Sequence, residues 1–106
     1  MRQVGVLAAA GLVALERVER LADDHARAQR LARAASTRWP GSVDPAEVHT
    51  NIVRITHPHP GALLQHLAEA GVLAVPGSAS TVRLVTHADV DDADVDRTVA
   101  ALESAP

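Results

Sequence analysis

The sequence predicts an α+β fold, a long N-terminal helix followed by a small two-layer sandwich in the order β-α-β-β-α. Three observations carry this. Apolar or small residues recur every three or four positions from Val4 to Ala28. Two short β-branched runs, Asn51 to Thr56 and Val82 to Thr86, stand apart from the helical patterns. Gly and Pro punctuate the chain between them, at Pro40-Gly41, His57 to Gly61, Gly71 and Pro76-Gly77. Such an order gives a largely antiparallel sheet with helices on one face.

The N-terminal third is helical because Val4, Leu7, Gly11, Leu15, Val18, Ala22, His25 and Ala28 form one stripe. Charged residues occupy most other positions from Glu16 onward, and Glu16–Arg20 and Asp23–Arg27 are spaced as i,i+4 ion pairs. His25 falls on the inward stripe and reads as a hydrogen-bonded core residue. From Val4 to Leu15 the helix is apolar nearly all round, so burial on every side is expected. That exceeds what a domain this size can supply and implies a partner. Gly5, Ala8, Ala9, Ala10 and Gly11 would let it approach closely. The segment is short of the ~20 residues a membrane span needs, and Arg2 alone is a thin basic lead for a signal peptide.

The helix is over at Trp39-Pro40-Gly41. Asp44-Pro45-Ala46-Glu47 reads as a single capped turn, with Asp as N-cap and Pro first. Asn51 to Thr56 is a strand, His57 to Gly61 a loop, and Ala62 to Ala70 a helix closed by Gly71. Val72 to Val75 reads as a short strand, Pro76-Gly77-Ser78 as a turn, and Val82 to Thr86 as a third strand. Asp91 caps a last helix with Asp94 at N3 and a stripe of Val95, Val99 and Leu102. The organisation is a connecting helix over 1–36 and a small α+β domain over 37–106.

Composition narrows the function. The 106 residues carry a net charge of −3 and one aromatic residue, Trp39. Mild acidity and missing stacking platforms argue against a nucleic-acid partner. With no cysteine, disulfides and thiolate metal sites are excluded, which fits a cytoplasmic location. All ten basic residues are arginine; there is no lysine.

Few residues suggest chemistry. Arg2 precedes a helix start, where it could meet an anion that the helix N-terminus also attracts, or be an exposed charge near a chain end. On its strand Arg83 shares a face with Val85 and His87, opposite Val82, Leu84 and Thr86. It could present its fork to a carboxylate, or serve as a sheet cover or edge salt bridge. His57 and His59 could chelate a metal with His66 or His87, but no carboxylate or cysteine completes a recognisable spacing. The acids from Asp89 to Asp96 lack the Gly and Glu of a calcium loop and read as helix capping.

Several blocks together resemble the L-threonine aldolases of the fold-type I pyridoxal-phosphate enzymes. They are Arg2-Gln3 with Gly5 to Leu12, Glu19 to Ala28, Thr50 to Val53, Gly71 to Leu73, and, the strongest, Val82-Arg83-Leu84-Val85-Thr86-His87-Ala88-Asp89-Val90. The resemblance implies the C-terminal small domain of such an enzyme. Its cofactor would be pyridoxal 5′-phosphate, and its reaction the retro-aldol cleavage of L-threonine or L-allo-threonine to glycine and acetaldehyde. Arg83 would help bind the substrate carboxylate and Arg2 would lie near the cofactor phosphate. The assembly would be a homotetramer, with a small β-hydroxy amino acid as ligand, the large domain or other subunits as partners, and neither nucleic acid nor membrane. Arg54 departs from the family, standing where a hydrophobic residue is more usual, and the turn from Pro76 to Thr81 matches loosely. The Schiff-base lysine is absent, so no catalytic residue is assigned and the chain alone is expected to be inactive. A fragment is expected, with Met1 internal to the full enzyme. The alternative is a standalone interaction or regulatory module that keeps the fold without catalysis.

Overall fold

Four α-helices and a three-stranded antiparallel sheet are seen in a computed structural model, which describes residues 2–106. The elements are α1 (Val4–Glu16), α2 (Leu21–Arg38), β1 (Ile52–Thr56), α3 (Pro60–Glu69), β2 (Val75–Ser78), β3 (Thr81–Val85) and α4 (Asp92–Ser104). Two 3-10 turns, Val18–Arg20 and Pro45–Glu47, complete the order. The strand order is β1-β3-β2, so β3 is central.

Alternation along the strands decides which face is covered. Val53 and Ile55 on β1 and Val82 and Leu84 on β3 point the same way and are buried. They meet Ala28, Leu31, Ala32 and Ala35 of α2, Leu63 and Leu67 of α3, and Val95, Ala101 and Leu102 of α4. Small alanines on α2 make room for α4, and arginines lock the pair together. Arg27 Nε donates to Asp92 at 3.0 Å, Arg30 pairs with Asp96, and Arg38 donates to the Ala105 carbonyl at 2.6 Å. The Asp92 hydrogen bond, helped by the charges of Asp92, Asp23 and Asp24, raises the Arg27 pKa further. Helices therefore cover one face of the sheet, as expected from the element order.

Capping chemistry places the helix ends. The Asp91 carboxylate accepts from the Asp94 N–H at 2.9 Å, and the Asp94 carboxylate accepts from the Asp91 N–H at 3.1 Å. Asp44 accepts from Ala46 N–H at 3.0 Å and starts the second 3-10 turn. Gly71, at φ +78°, follows α3; its N–H bonds the Ala68 carbonyl and that of Val72 bonds Leu67, the Schellman closure. The acids from Asp91 to Asp96 thus serve as caps and as partners for α2.

Four local expectations are corrected. The N-terminal helix breaks at Arg17 (φ −106°, ψ 11°) and resumes after a 3-10 turn. That tighter turn resets the helical phase, so Asp24 is buried and His25 is exposed. The i,i+4 pairs also change: Arg20 grips Asp24 at 2.9 Å and Arg27 reaches Asp92, leaving Glu16 and Asp23 outside those bonds. The second strand is Val75–Ser78 rather than Val72–Val75. Pro76 is compatible with it because β2 is an edge strand, and the pairing is bulged between Pro76 and Ser78.

The segment from Val4 to Glu16 meets no core. None of its residues is buried, and it projects from a body measuring 48 × 26 × 25 Å with the helix included. Burial of this segment is thus not provided within the chain. No helix among the described residues is long and apolar enough to cross a membrane.

Candidate functional site

The sheet face opposite the helices carries the unexplained chemistry. It presents Ile52, Arg54 and Thr56 from β1 and Thr81, Arg83 and Val85 from β3, all exposed or half-buried. Arg54 and Arg83 are direct cross-strand partners. The His57 N–H donates to the Ser80 carbonyl and the Thr86 N–H to the Asn51 carbonyl, both at 2.9 Å. These bonds mark 57/80 and 51/86 as hydrogen-bonded pairs. Alternation then makes 54/83 a non-hydrogen-bonded pair, the type that brings side chains closest, with Cα atoms about 4.5 Å apart.

Neither arginine has an acidic partner. Among the described residues Arg20, Arg27, Arg30 and Arg97 form ion pairs, but Arg54 and Arg83 form none. The Nε of Arg83 is buried and lacks any hydrogen-bond partner. A buried donor left unmatched costs ~1–3 kcal/mol. Arg83 lies on the central strand and makes no salt bridge, which removes the edge salt bridge and leaves two readings, a cover for the sheet or a partner for a carboxylate.

Strand β2 sets the wall beside it. Val75 pairs with Arg83 on that side. Gly77 has no Cβ because one would stand 2.5 Å from Thr81 Oγ1 and 3.7 Å from Arg83 Cβ. The close approach of β2 at Gly77 is thus to Thr81, with the base of the Arg83 side chain at ordinary contact distance.

Arg2 lies elsewhere. It is exposed in the turn before α1, at the far end of a helix whose 13 residues span about 20 Å. The chain does not bring Arg2 and Arg83 together.

His57, His66 and His87 have structural partners for their rings. His57 is buried edge-on to Trp39, with ring centroids 4.9 Å apart. Its Nδ1 accepts from the His59 N–H at 3.0 Å and its Nε2 lies 3.3 Å from the Pro106 carbonyl. His66 Nε2 lies 2.9 Å from the Ala101 carbonyl and His87 Nδ1 accepts from Asp89 N–H. No group of three or more potential ligands is assembled among the described residues. On the helix side, a hollow of about 200 Å³ between β3 and α4 holds Asp94 and Arg97, which pair with each other at 3.3 Å.

Sequence reading placed Arg54 and Arg83 on strands but did not pair them. No local signal could have done so, since their pairing follows from the register of two separate strands.

The beta-eliminating lyase family model matches residues 1–58, more than half of the chain. The chain belongs to the beta-eliminating lyase family. Two proteins of Arabidopsis thaliana are similar over nearly all of it. One, described as a probable low-specificity L-threonine aldolase 2, is 38% identical across 97% of this chain. The other, described as low-specificity L-threonine aldolase 1, is 35% identical across 99%. In each case the chain spans 31% of the relative's length. This member of the beta-eliminating lyases thus corresponds to somewhat less than a third of those proteins, and Arg83 lies beyond the part matched by the family model.

Proposed function

We propose that this chain is the small domain of a cytoplasmic, pyridoxal-phosphate-dependent lyase that cleaves L-threonine or L-allo-threonine to glycine and acetaldehyde. The observation that carries this reading is Arg83, an arginine on the central strand whose buried Nε has no partner within the chain. A carboxylate meeting a guanidinium fork accepts two parallel N–H bonds. Arg83 would orient the substrate through its α-carboxylate, holding the bond to be cleaved in a fixed direction. The cofactor, when bound, supplies a ring that takes up the electrons left as the Cα–Cβ bond breaks.

The residues present do not complete a cofactor site. Covalent attachment needs a lysine amine, and the sequence has none. Arg2, the one candidate for the cofactor phosphate, is exposed and far from the sheet. It fits that role only if another domain or subunit packs along α1, as a homo-oligomer of larger chains would. The chain by itself is inert.

A chimera tests the reading. Residues 1–106 would replace the matching third of the Arabidopsis relative, and acetaldehyde release from L-threonine would be measured. Activity that falls at least ~100-fold with Arg83→Leu is expected, while a folded chimera indifferent to that change sinks the proposal. For the chain alone, incubation with pyridoxal phosphate followed by borohydride should leave no adduct beyond the Met1 α-amine by peptide mass mapping.

A further inference from the structure

Arg54 does not belong to the carboxylate site just described, and its position calls for an explanation. It sits directly across from Arg83 at the closest register an antiparallel pair allows. Like charges placed so are mutually destabilising. No acidic residue shares that open face to offset the repulsion, since its other strand positions are Ile52, Thr56, Thr81, Val85 and Val75. Asp44 and Glu47 line a hollow with Arg54, yet neither comes within 4 Å of it. Asp44 is occupied by the Ala46 N–H, and Glu47 lies beside His49.

We propose that Arg54 and Arg83 form a two-guanidinium site for a dianion, and that Arg54 selects substrates carrying a second carboxylate. The inference rests on the reading that Arg83 takes the α-carboxylate. One carboxylate carries one negative charge, so a monoanion held by a single fork offsets only one of the two facing positive charges. A dicarboxylate relieves both. With Cβ atoms about 5 Å apart, the two forks can hold carboxylates separated by two or three bonds of carbon chain. The substrate class that follows, accepted in addition to L-threonine and held more tightly, is an acidic β-hydroxy amino acid.

The test uses the 106-residue chain labelled with 15N, titrated with succinate and with propionate at constant ionic strength while the arginine Nε–H resonances are followed. The expected result is that succinate moves both the Arg54 and Arg83 signals and binds at least tenfold more tightly than propionate. Arg54→Leu should abolish that preference and leave propionate affinity within about threefold, and Arg54→Lys should keep part of it. Equal affinity for the two acids, or a preference that survives Arg54→Leu, overturns the proposal. So does an Arg54 resonance unmoved by succinate. Propionate acting on Arg83 with no succinate preference would leave the carboxylate reading intact while removing this one. A succinate preference in a chain whose chimera fails to cleave threonine would do the reverse. Should the leucine variant fail to fold, Arg54→Gln supplies the same comparison.

Discussion

Helix α1 makes the sharpest demand on the surroundings of this chain. Val4, Val6, Leu7, Leu12, Val13 and Leu15 are between 45% and 73% exposed, and no residue of the helix is buried. Full burial of a Val or Leu side chain is worth ~1.5–3 kcal/mol. The six side chains therefore leave roughly 5–10 kcal/mol of apolar transfer unclaimed. Two such helices bring roughly twice that between them, while association costs about 4–15 kcal/mol in lost translational and rotational freedom, so a surplus of about 8 kcal/mol, the value for micromolar pairing, lies within range. The perturbation is Leu7→Glu with Leu12→Glu, two charges placed on an exposed helix at positions touching no core. Sedimentation velocity between 5 and 200 µM should show the original chain shifting to larger species and the double variant remaining monomeric. Thermal melting of the double variant should stay within about 2 °C, since the core is made without α1. A concentration-independent monomer for the unmodified chain would refute the reasoning. A large loss of melting temperature in the variant would show that α1 packs on the body.

Three substitutions probe the body itself. Gly71→Ala forces a Cβ into φ +78° and should cost ~1–2 kcal/mol, read as a lower denaturation midpoint with unchanged slope. Asp91→Ala removes the side-chain half of the reciprocal cap on α4, leaving the backbone N–H of position 91 to donate to Asp94, and should cost ~1 kcal/mol, with amide exchange rising first at the start of that helix. Thr86→Val deletes the buried hydroxyl that donates to the Asp24 carbonyl at 2.7 Å. The Asp24 carbonyl keeps its helical bond from the Ala28 N–H, so the expected loss is that of one hydrogen bond, ~0.5–1.5 kcal/mol, and an unchanged midpoint would show that the hydroxyl contributes nothing.

What could be read in advance was governed by how local the physics is. Asp91 with Asp94, Asp44 with Pro45, and Gly71 each act within a few residues, and each does in the structure what its sequence context implies. The alternation of Val82, Leu84 and Thr86 against Arg83 fixed the buried face of β3 for the same reason. Features that depend on distant partners were not legible. No glycine or proline marks the break at Arg17, so the phase shift that exchanges His25 for Asp24 is silent in the pattern. Pro76 reads as a turn residue until β2 is known to be an edge, where its missing N–H is harmless. The facing of Arg54 and Arg83 belongs to strand register, and register is a property of two segments, not one.

The two margins of the sheet determine how this chain can and cannot associate. Along β2, Pro76 removes a donor and the adjacent bulge bends the ladder. Along β1, the Thr56 N–H already donates to the Ser42 carbonyl at 2.8 Å. Neither margin offers a clean row of amides to an incoming strand. Aggregation by sheet extension into fibrils is therefore obstructed at the point where small β-containing chains are most vulnerable. What the chain leaves open is helical and apolar at α1, a stickiness that reverses on dilution.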